Sequence, residues 1–338
     1  MKRILSGTRP TGRAHIGHLF GAFSNWAKLQ DTYECFFEVA DIHALTTSYN
    51  KEEMRPVIRE LVADWIACGI DPKKSTLFIQ SLVPQHSELH LFLSMLMPVN
   101  WLRQNPTLKD MMRNYTPPTK EDTTTTEITE DLYSNLNYGL LGYPVLQAAD
   151  ILIYKADAVP VGEDQLPHIE MTREIARKFN NAYGNIFPEP ESIVNKTPRV
   201  PGLDGRKMSK SLNNTIIINE SLESIKSKIS QAFTDPLKIR KTDPGHTDGC
   251  IVFAYHKLTA SSEAIPVIKK ECEEGTRGCV SCKAECSIAM NKFIEPFREK
   301  RAQININDVD NLLEEGSKKA REVANATLKE VKKAMKLW

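Results

Sequence analysis

The first half of the chain predicts a doubly wound parallel α/β sheet, because short apolar segments alternate with segments of helical periodicity. The predicted strands cover residues 4–6, 35–40, 76–80 and 158–161. The predicted helices cover residues 15–30, 51–68, 86–97 and 164–179. Ligands of such Rossmann-like sheets bind at the carboxyl ends of the strands, so we expect the functional residues there.

Two polar stretches interrupt this alternation. From about 98 to 138 the pattern breaks around Pro117-Pro118 and a run of four threonines, which predicts an insertion or long loop. A second stretch, 187–206, is rich in proline and glycine, and beyond about 215 the chain is helical, at 221–233, 287–300 and 307–336. We therefore predict a Rossmann-like catalytic domain at 1–214, with a loop at 205–213, and an α-helical domain at 215–338.

Composition sets the class of protein. The chain has 338 residues, 41% of them hydrophobic and 26% charged, which is enough for two domains with full cores. No apolar run approaches the length of a membrane span and no signal-peptide pattern opens the chain, so we expect a cytoplasmic protein with no membrane partner. The net charge of +1 means that local basic patches would have to hold any nucleic acid.

Two motifs carry the strongest functional signal. Residues 10–18, Pro-Thr-Gly-Arg-Ala-His-Ile-Gly-His, follow the first strand and open a helix, where free N–H groups and the positive dipole end favour phosphate. Gly17 would let a base or ribose approach the backbone. Far downstream, Lys207-Met208-Ser209-Lys210-Ser211 places two lysines among hydroxyls, as in a loop that closes over phosphates. Either motif alone could be an exposed helix start or an ordinary loop, but together, in this order, they favour nucleotide chemistry.

In these two motifs the chain resembles the class I aminoacyl-tRNA synthetases, and within them the tryptophanyl-tRNA synthetases of the bacterial type. Further segments carry the resemblance: 40–44 (Ala-Asp-Ile-His-Ala), 143–152 (Tyr-Pro-Val-Leu-Gln-Ala-Ala-Asp-Ile-Leu), 159–165 (Val-Pro-Val-Gly-Glu-Asp-Gln) and 168–170 (His-Ile-Glu). The resemblance covers nearly the whole chain. It implies a tryptophan–tRNA ligase, which activates tryptophan with ATP to tryptophanyl-adenylate and pyrophosphate and then transfers it to tRNA(Trp).

The first step of that reaction needs no general base, because the attacking carboxylate is already ionised at neutral pH. The protein orients the reactants and stabilises the charge that builds on the phosphates. The resemblance implies an ATP site of Arg9, Pro10, Thr11, Gly17, His18, Gly162, Glu163, Asp164, Val200, Lys207, Met208, Ser209, Lys210 and Ser211. It implies catalytic roles for His15, His18, Lys207 and Lys210, with Mg²⁺ sharing the phosphate charge. Arg9 departs from the glutamine of many relatives.

Asp150 is the residue most informative about the amino acid. It lies in the apolar stretch 145–153, where a buried carboxylate needs a partner, and an indole N–H is a single donor that one fixed carboxylate can read. A salt bridge or a helix-surface position is the alternative. The resemblance implies a tryptophan slot of Leu5, Gly7, His43, Tyr143, Gln147, Asp150, Val159, Val161 and Gln165.

Two rival functions remain at this point. Tyrosyl enzymes share the pattern of Tyr143, Gln147 and Asp150, but they place a hydroxyl-binding tyrosine where this chain has Leu5. Together with residues 162–165, Leu5 favours tryptophan. A regulatory paralogue that no longer charges tRNA is the other rival. The intact lysine loop and the basic helical tail argue against it.

The cysteine pattern predicts a metal site. Cys272, Cys279, Cys282 and Cys286 are spaced C-x6-C-x2-C-x3-C, with Cys250 upstream, and four thiolates suit an iron–sulfur cluster or Zn²⁺. The resemblance implies a [4Fe–4S] cluster on Cys250, Cys272, Cys279 and Cys282. The gap of 21 residues after Cys250 is about one shorter than expected, which keeps Cys286 as an alternative ligand.

The resemblance also implies partners. The C-terminal region would bind the anticodon end of tRNA(Trp), and the basic loop with Lys238, Arg240 and Lys241 could contact phosphates. The synthetases that the chain resembles are homodimers, and the stretch 86–102 is a candidate part of that interface.

Overall fold

The computed structural model describes residues 1–47, 54–106, 108–109, 136–195, 200–209 and 212–338. Within these ranges the strands form one parallel sheet in the order β3-β2-β1-β4-β5. The strands are β1 (Arg3–Thr8), β2 (Glu34–Val39), β3 (Ser75–Ile79), β4 (Ala158–Val161) and β5 (Glu191–Val194). The strand order reverses between β1 and β4, which creates the crevice where ligands of doubly wound sheets bind. The predicted fold class is confirmed.

The helices of the first part follow the strands. They are α1 (Ile16–His18), α2 (Ser24–Leu29), α3 (Asp41–Leu45), α4 (Met54–Ala67), α5 (Gln85–Ser94), α6 (Val99–Arg103), α7 (Tyr138–Ile153) and α8 (Leu166–Tyr183). A π-helical turn, Leu19–Phe23, joins α1 to α2, so the predicted helix 15–30 is not one regular helix. Most of the predicted insertion at 98–138 lies outside the described residues.

The helices of the second part are α9 (Leu222–Gln231), α10 (Ile251–Thr259), α11 (Ala264–Glu273), α12 (Cys279–Ala302) and α13 (Ile306–Ala334). Helix α12 starts eight residues before the predicted 287, and α10 and α11 were not predicted. None of the helices within the described ranges is long and apolar enough to cross a membrane.

The two faces of the sheet bury different side chains, because successive residues of a strand point to opposite sides. Leu5, Phe36 and Phe78 pack with α5, α7 and α8 on one face. On the other face, Phe37 stacks on Trp26 with ring centroids 4.6 Å apart. A third apolar cluster joins Ile16, Val200 and Met208 to α9, α10 and α12, so both sequence motifs contribute to the core of the helical part.

The last helix returns to the sheet. The Ile79 N–H of β3 donates to the Ser317 hydroxyl (3.2 Å), and a Cβ atom at Gly316 would clash with the carbonyl oxygen of Leu77. Glycine is therefore required where α13 meets β3. Further back, Arg301 binds Asp64 (3.3 Å), whose carboxylate also accepts the Ala14 N–H (2.9 Å). Residues beyond 215 are thus fastened to the sheet and to the segment that opens α1.

Candidate active site

A cavity of about 540 Å³ opens at the carboxyl ends of β1 and β4, where the strand order reverses. Thirteen predicted site residues line it: Leu5, Gly7, Arg9, His43, Tyr143, Gln147, Asp150, Val159, Val161, Gly162, Asp164, Gln165 and Lys207. They come from five separate parts of the chain. The fold therefore collects into one place residues that the sequence placed there only by resemblance.

The two sequence motifs touch each other. A Cβ atom at Gly17 would lie 3.4 Å from the Sδ of Met208. The Ile16 N–H donates to the Ile216 carbonyl (2.9 Å), and the Ile218 N–H donates to the Ala14 carbonyl (3.0 Å). This backbone pairing holds the segment after the lysine loop against the start of α1.

His15 and His18 lie together at the start of α1. Their rings stack with centroids 3.7 Å apart, and the His15 N–H donates to His18 Nδ1 (3.3 Å). The π-helical turn follows at once, and Asn195 Nδ2 donates to the carbonyls of Phe20 (3.0 Å) and Gly21 (2.9 Å) within it. Such turns often mark functional sites, because their irregular backbone leaves carbonyls for other partners.

The lysine loop has a buried anchor and an exposed charge. Met208 is buried, whereas Lys207 is exposed and lines the cavity. Asn214, which sequence reasoning missed, braces the loop: its Oδ1 accepts the Ser209 N–H (2.7 Å), and its Nδ2 donates to the Lys207 carbonyl (3.1 Å). Lys210 and Ser211 lie outside the described residues.

The remaining members of the predicted ATP site do not line this cavity in the described part of the chain. They are Pro10, Thr11, Gly17, His18, Glu163, Val200, Met208 and Ser209. His15, which was predicted to be catalytic, does not line the cavity either. Val200 packs in the apolar cluster with Ile16, and Glu163 is exposed at a 3₁₀ turn. Arg9 lines the cavity, and its Nη1 donates to the Thr47 hydroxyl (3.2 Å).

Asp150 has fixed partners deep in the cavity. It is 3% exposed, and its Oδ1 lies 2.9 Å from Gln80 Nε2 and 2.6 Å from His86 Nδ1. Its Oδ2 lies 2.7 Å from His43 Nε2. Burial alone would raise the pKa of Asp150, but His43 and His86 hold that pKa far below its usual range. A carboxylate has about four acceptor positions, so these three donors leave one position for a ligand N–H.

Sequence reasoning missed the residues that hold Asp150. Gln80 Oε1 also accepts the N–H groups of Ile42 (3.1 Å) and His43 (3.3 Å), which orients the start of α3. His86 Nε2 lies 2.8 Å from the Tyr154 hydroxyl. Gln80 ends the apolar segment predicted as the third strand, and an amide in that position was the available signal in the sequence. The structure buries this amide fully, and its oxygen and nitrogen are both hydrogen-bonded.

A second polar chain lies beside the slot. The Tyr143 hydroxyl is 2.7 Å from His168 Nε2, and His168 Nδ1 is 3.0 Å from Gln165 Oε1. Burial lowers the pKa of His168 to about 4, so the ring is neutral at pH 7. Because an amide oxygen only accepts, Nδ1 carries the proton and Nε2 accepts from Tyr143. This polar chain fixes the orientation of the Tyr143 hydroxyl beside the slot.

Four cysteines line one small cavity of about 20 Å³ in the helical part: Cys250, Cys272, Cys279 and Cys282. Cys286 is not among the lining residues. It is fully buried, and its Sγ donates to the Val252 carbonyl (3.7 Å). Burial raises the pKa of Cys282, and Arg277, hydrogen-bonded to its sulfur, opposes that effect.

One predicted phosphate contact is not available. Lys238 is only 8% exposed, and its ammonium donates to the Asp243 carbonyl. Arg240 and Lys241 of the same loop are exposed.

Comparisons with known proteins agree with this geometry. A sequence model of the family described as "tRNA synthetases class I (W and Y)" matches residues 1–295. The tryptophan–tRNA ligases of Thermotoga maritima and Aquifex aeolicus are 46% and 45% identical to the chain; each alignment covers 99% of it, with 99% and 100% of the relatives. The Campylobacter jejuni tryptophanyl-tRNA synthetase, solved with ADP and tryptophan, superimposes with a TM-score of 0.83 at 32% identity, covering 99% of this chain and 100% of the other. The chain belongs to the class I tRNA synthetases of the tryptophan and tyrosine type.

Proposed function

We propose that the protein is a tryptophan–tRNA ligase, which forms tryptophanyl-adenylate from tryptophan and ATP and then charges tRNA(Trp). The observation that carries this proposal is Asp150, a buried carboxylate that lines the cavity and has one acceptor position left. The relatives from Thermotoga maritima and Aquifex aeolicus, which match over their whole length, bear out the activity predicted from the sequence.

The apolar lining of the cavity supports tryptophan over tyrosine. Leu5 is 4% exposed and packs with Phe36 in the core, so it offers no partner to a phenolic hydroxyl. An indole presents one N–H donor and an otherwise apolar surface. Val159 and Val161 of β4 supply further apolar walls.

The polar end of the slot suits the amino acid's ammonium group. The Tyr143 hydroxyl, which is bonded to His168, would face this group. Gln147 and Gln165 line the same cavity. These contacts would direct the substrate carboxylate toward the phosphates of ATP, where Arg9 and Lys207 supply positive charge.

Catalysis in this arrangement is positioning and charge stabilisation. The carboxylate oxygen attacks the α-phosphorus, the bond to the pyrophosphate oxygen breaks, and pyrophosphate leaves with its negative charge. Lys207, with Lys210, would stabilise that leaving group, and His15 and His18 would contact the phosphates at the start of α1. Mg²⁺ bound to the phosphates supplies further neutralisation.

The cysteine cavity fits a metal centre. Its four thiols face one space from α10, α11 and α12, with Arg277 beside Cys282. A [4Fe–4S] cluster on Cys250, Cys272, Cys279 and Cys282 is the centre that the family resemblance implies. Four thiolates also suit tetrahedral Zn²⁺, which is the alternative centre.

The proposed enzyme acts as a cytoplasmic homodimer. On the stretch 86–102, Leu91, Met95 and Val99 are exposed by 52%, 69% and 55%, and apolar side chains in a row favour burial against a second copy. Arg240 and Lys241 are the basic side chains left to meet tRNA phosphates near the cysteine cavity.

The test of the function is exchange of labelled pyrophosphate into ATP, run in parallel with tryptophan, tyrosine and phenylalanine, followed by charging of transcribed tRNA(Trp). We expect exchange with tryptophan alone. Exchange with tyrosine would overturn the argument from Leu5. No exchange in folded, metal-replete protein would favour the regulatory paralogue.

A separate measurement tests the cluster. Protein purified without oxygen should contain iron and acid-labile sulfide and absorb visible light. Stoichiometric zinc with no visible absorption would overturn the assignment.

A further inference from the structure

Glu38 is a titratable side chain of the slot whose chemistry the proposed reaction leaves unexplained. It is 2% exposed and lines the cavity from β2, in register with Gly7 of β1. A Cβ atom at Gly7 would lie 2.8 Å from the Glu38 carbonyl oxygen and 3.1 Å from the Glu38 Cβ, so a glycine is needed beside this residue. Its Oε2 is buried and has no hydrogen-bond partner.

The neighbouring hydrogen-bond donors bind Asp150 and not Glu38, although the two carboxyl groups lie close together. One ligand atom each of Glu38, His86 and Asp150 lies within 4.8 Å of the others. His86 Nδ1 is 2.6 Å from Asp150 Oδ1 but 3.8 Å from Glu38 Oε2, so its proton serves Asp150. With the Gln80 and His43 bonds, Asp150 receives three donors. The charged form is therefore favoured on Asp150 and disfavoured on Glu38.

We propose that Glu38 is a positioning residue of the amino-acid slot, which keeps its proton so that Asp150 is the single anion facing the indole N–H. This inference rests on the proposed role of Asp150 as the reader of tryptophan. Two adjacent carboxylates in a buried site cannot both ionise without a large repulsive cost, so one proton is shared by the pair. An ionised Glu38 would repel the Asp150 carboxylate and weaken the hydrogen bonds of Asp150 to His43 and His86.

The titratable groups around Glu38 come from three helices. They are Asp41 and His43 of α3, His86 of α5, and Asp150 and Tyr154 of α7. Burial, and then the charges of Asp150 and Asp41, raise the pKa of Glu38 well above its usual range. Tryptophan removes further water from the slot, so its binding should favour the protonated form still more.

Tryptophan binding should therefore be linked to one proton at alkaline pH. Above the pKa of Glu38, the affinity for tryptophan should fall by about tenfold per pH unit, with uptake of a proton on binding. The maximal rate of adenylate formation at saturating tryptophan should change less than KM, because Glu38 acts through Asp150.

The experiment is calorimetric titration of the full-length holoenzyme with L-tryptophan from about pH 6 to pH 9.5, in buffers of different ionisation enthalpy. The variants are Glu38→Gln, which keeps the shape and cannot ionise, and Glu34→Gln as the matched control. Glu34 lies on the same strand but pairs with Arg3. The amino group of tryptophan also titrates at alkaline pH, so indole-3-propionate, which lacks it, is titrated in parallel.

We expect proton uptake and a falling affinity in the wild type and in Glu34→Gln, and a flat profile for indole-3-propionate in Glu38→Gln. At neutral pH, Glu38→Gln should bind tryptophan within about threefold of the wild type, since the amide replaces a neutral acid. The wild-type titration with indole-3-propionate decides the matter even if the variant does not fold.

Two results would overturn the inference. One is a wild-type affinity for indole-3-propionate that rises with pH and is accompanied by proton release, since that would mean that Glu38 is ionised in the occupied slot. The other is a stoichiometric divalent metal that is present in the wild type and lost with Glu38→Gln, which would make the cluster a metal site. Either result can occur in an enzyme that exchanges pyrophosphate with tryptophan. Absence of that exchange at every pH would instead remove the proposed function itself.

Discussion

Met208 rests on Gly17: a Cβ atom at Gly17 would lie 3.4 Å from the Met208 sulfur and closer still, 2.9 Å, to His15 Nδ1. The methionine of the lysine loop is thus seated on the glycine between the two histidines. Lys207 is directly connected to this anchor, so the position of its charge depends on the packing at Gly17. The two motifs, separated by nearly two hundred residues, work as one structural unit.

Gly17→Ala should therefore slow adenylate formation by about 10- to 100-fold, because the added methyl displaces the His15 ring and the Met208 anchor. Pre-steady-state formation of tryptophanyl-adenylate is the measurement. The matched control is Gly21→Ala, where a Cβ atom meets nothing within 4 Å. Equal losses in the two variants would show that the effect is general to glycine in this segment.

Lys207→Ala should lower the rate of adenylate formation by about 100-fold while changing tryptophan affinity less than threefold. The charge that Lys207 meets develops mainly as pyrophosphate leaves. Single-turnover rates and equilibrium binding of tryptophan separate the two effects. Lys226→Ala, on the exposed side of α9, is the control. A parallel fall in rate and affinity would place Lys207 in ground-state binding instead.

Asp150→Asn should raise KM for tryptophan by at least about 100-fold and reduce discrimination against phenylalanine. The amide turns one acceptor oxygen into a donor, which then faces His43, His86 or Gln80, themselves donors. Pyrophosphate exchange with the three aromatic amino acids measures both effects. An unchanged preference for tryptophan would remove Asp150 from the role of reader.

His168 should make the protein sensitive to acid. Burial lowers its folded-state pKa to about 4, below that of the unfolded chain, so the unfolded state binds more protons between these values. Stability contributed by the neutral ring is present above about pH 6.5 and is lost, by about 3 kcal/mol at most, as the pH falls toward 4. Urea unfolding should show a smaller loss in His168→Gln. An identical slope in both proteins would contradict this assignment.

Cys250→Ser should abolish the bound metal or cluster, whereas Cys286→Ser should keep it. Of these two residues, Cys250 lines the cysteine cavity, whereas the Cys286 thiol lies in the apolar core and donates to the Val252 carbonyl. Metal content and visible absorption of the two variants give the answer. Loss of metal in Cys286→Ser alone would exchange the two residues in the ligand set. Cys286→Ser should still lower the melting temperature, because it buries a hydroxyl.

The local hydrophobic pattern of the sequence was enough to predict the four strands β1 to β4. The strands β1 to β4 appear within two residues of their predicted bounds because their apolar runs are continuous. Strand β5 was missed: it is an edge strand of four residues, and Glu191 and Ser192 are exposed, so its sequence resembles a loop. The π-helical turn had no sequence signal.

The site also contains residues that the sequence indicated and residues that it did not. Resemblance to the family indicated Asp150 and Tyr143, and both line the cavity. It did not indicate Gln80, His86 or Glu38, which meet at Asp150 from three separate elements. This convergence depends on how β2, the end of β3 and α5 pack against α7. Tertiary packing of this kind cannot be predicted from the periodicity of a local sequence segment.

The seating of Gly316 on β3 has a consequence for the newborn chain. Among the described residues, strand β3 is the outer strand of its side of the sheet, and its cover, α13, follows much later in the chain. Until α13 has been synthesised, the emerging sheet keeps a bare edge that is able to pair with a neighbouring chain. Contacts such as Ile79 to Ser317, 238 residues apart, also delay completion of the fold. We therefore expect truncations before residue 316 to aggregate during expression, even though every proposed catalytic residue would be retained.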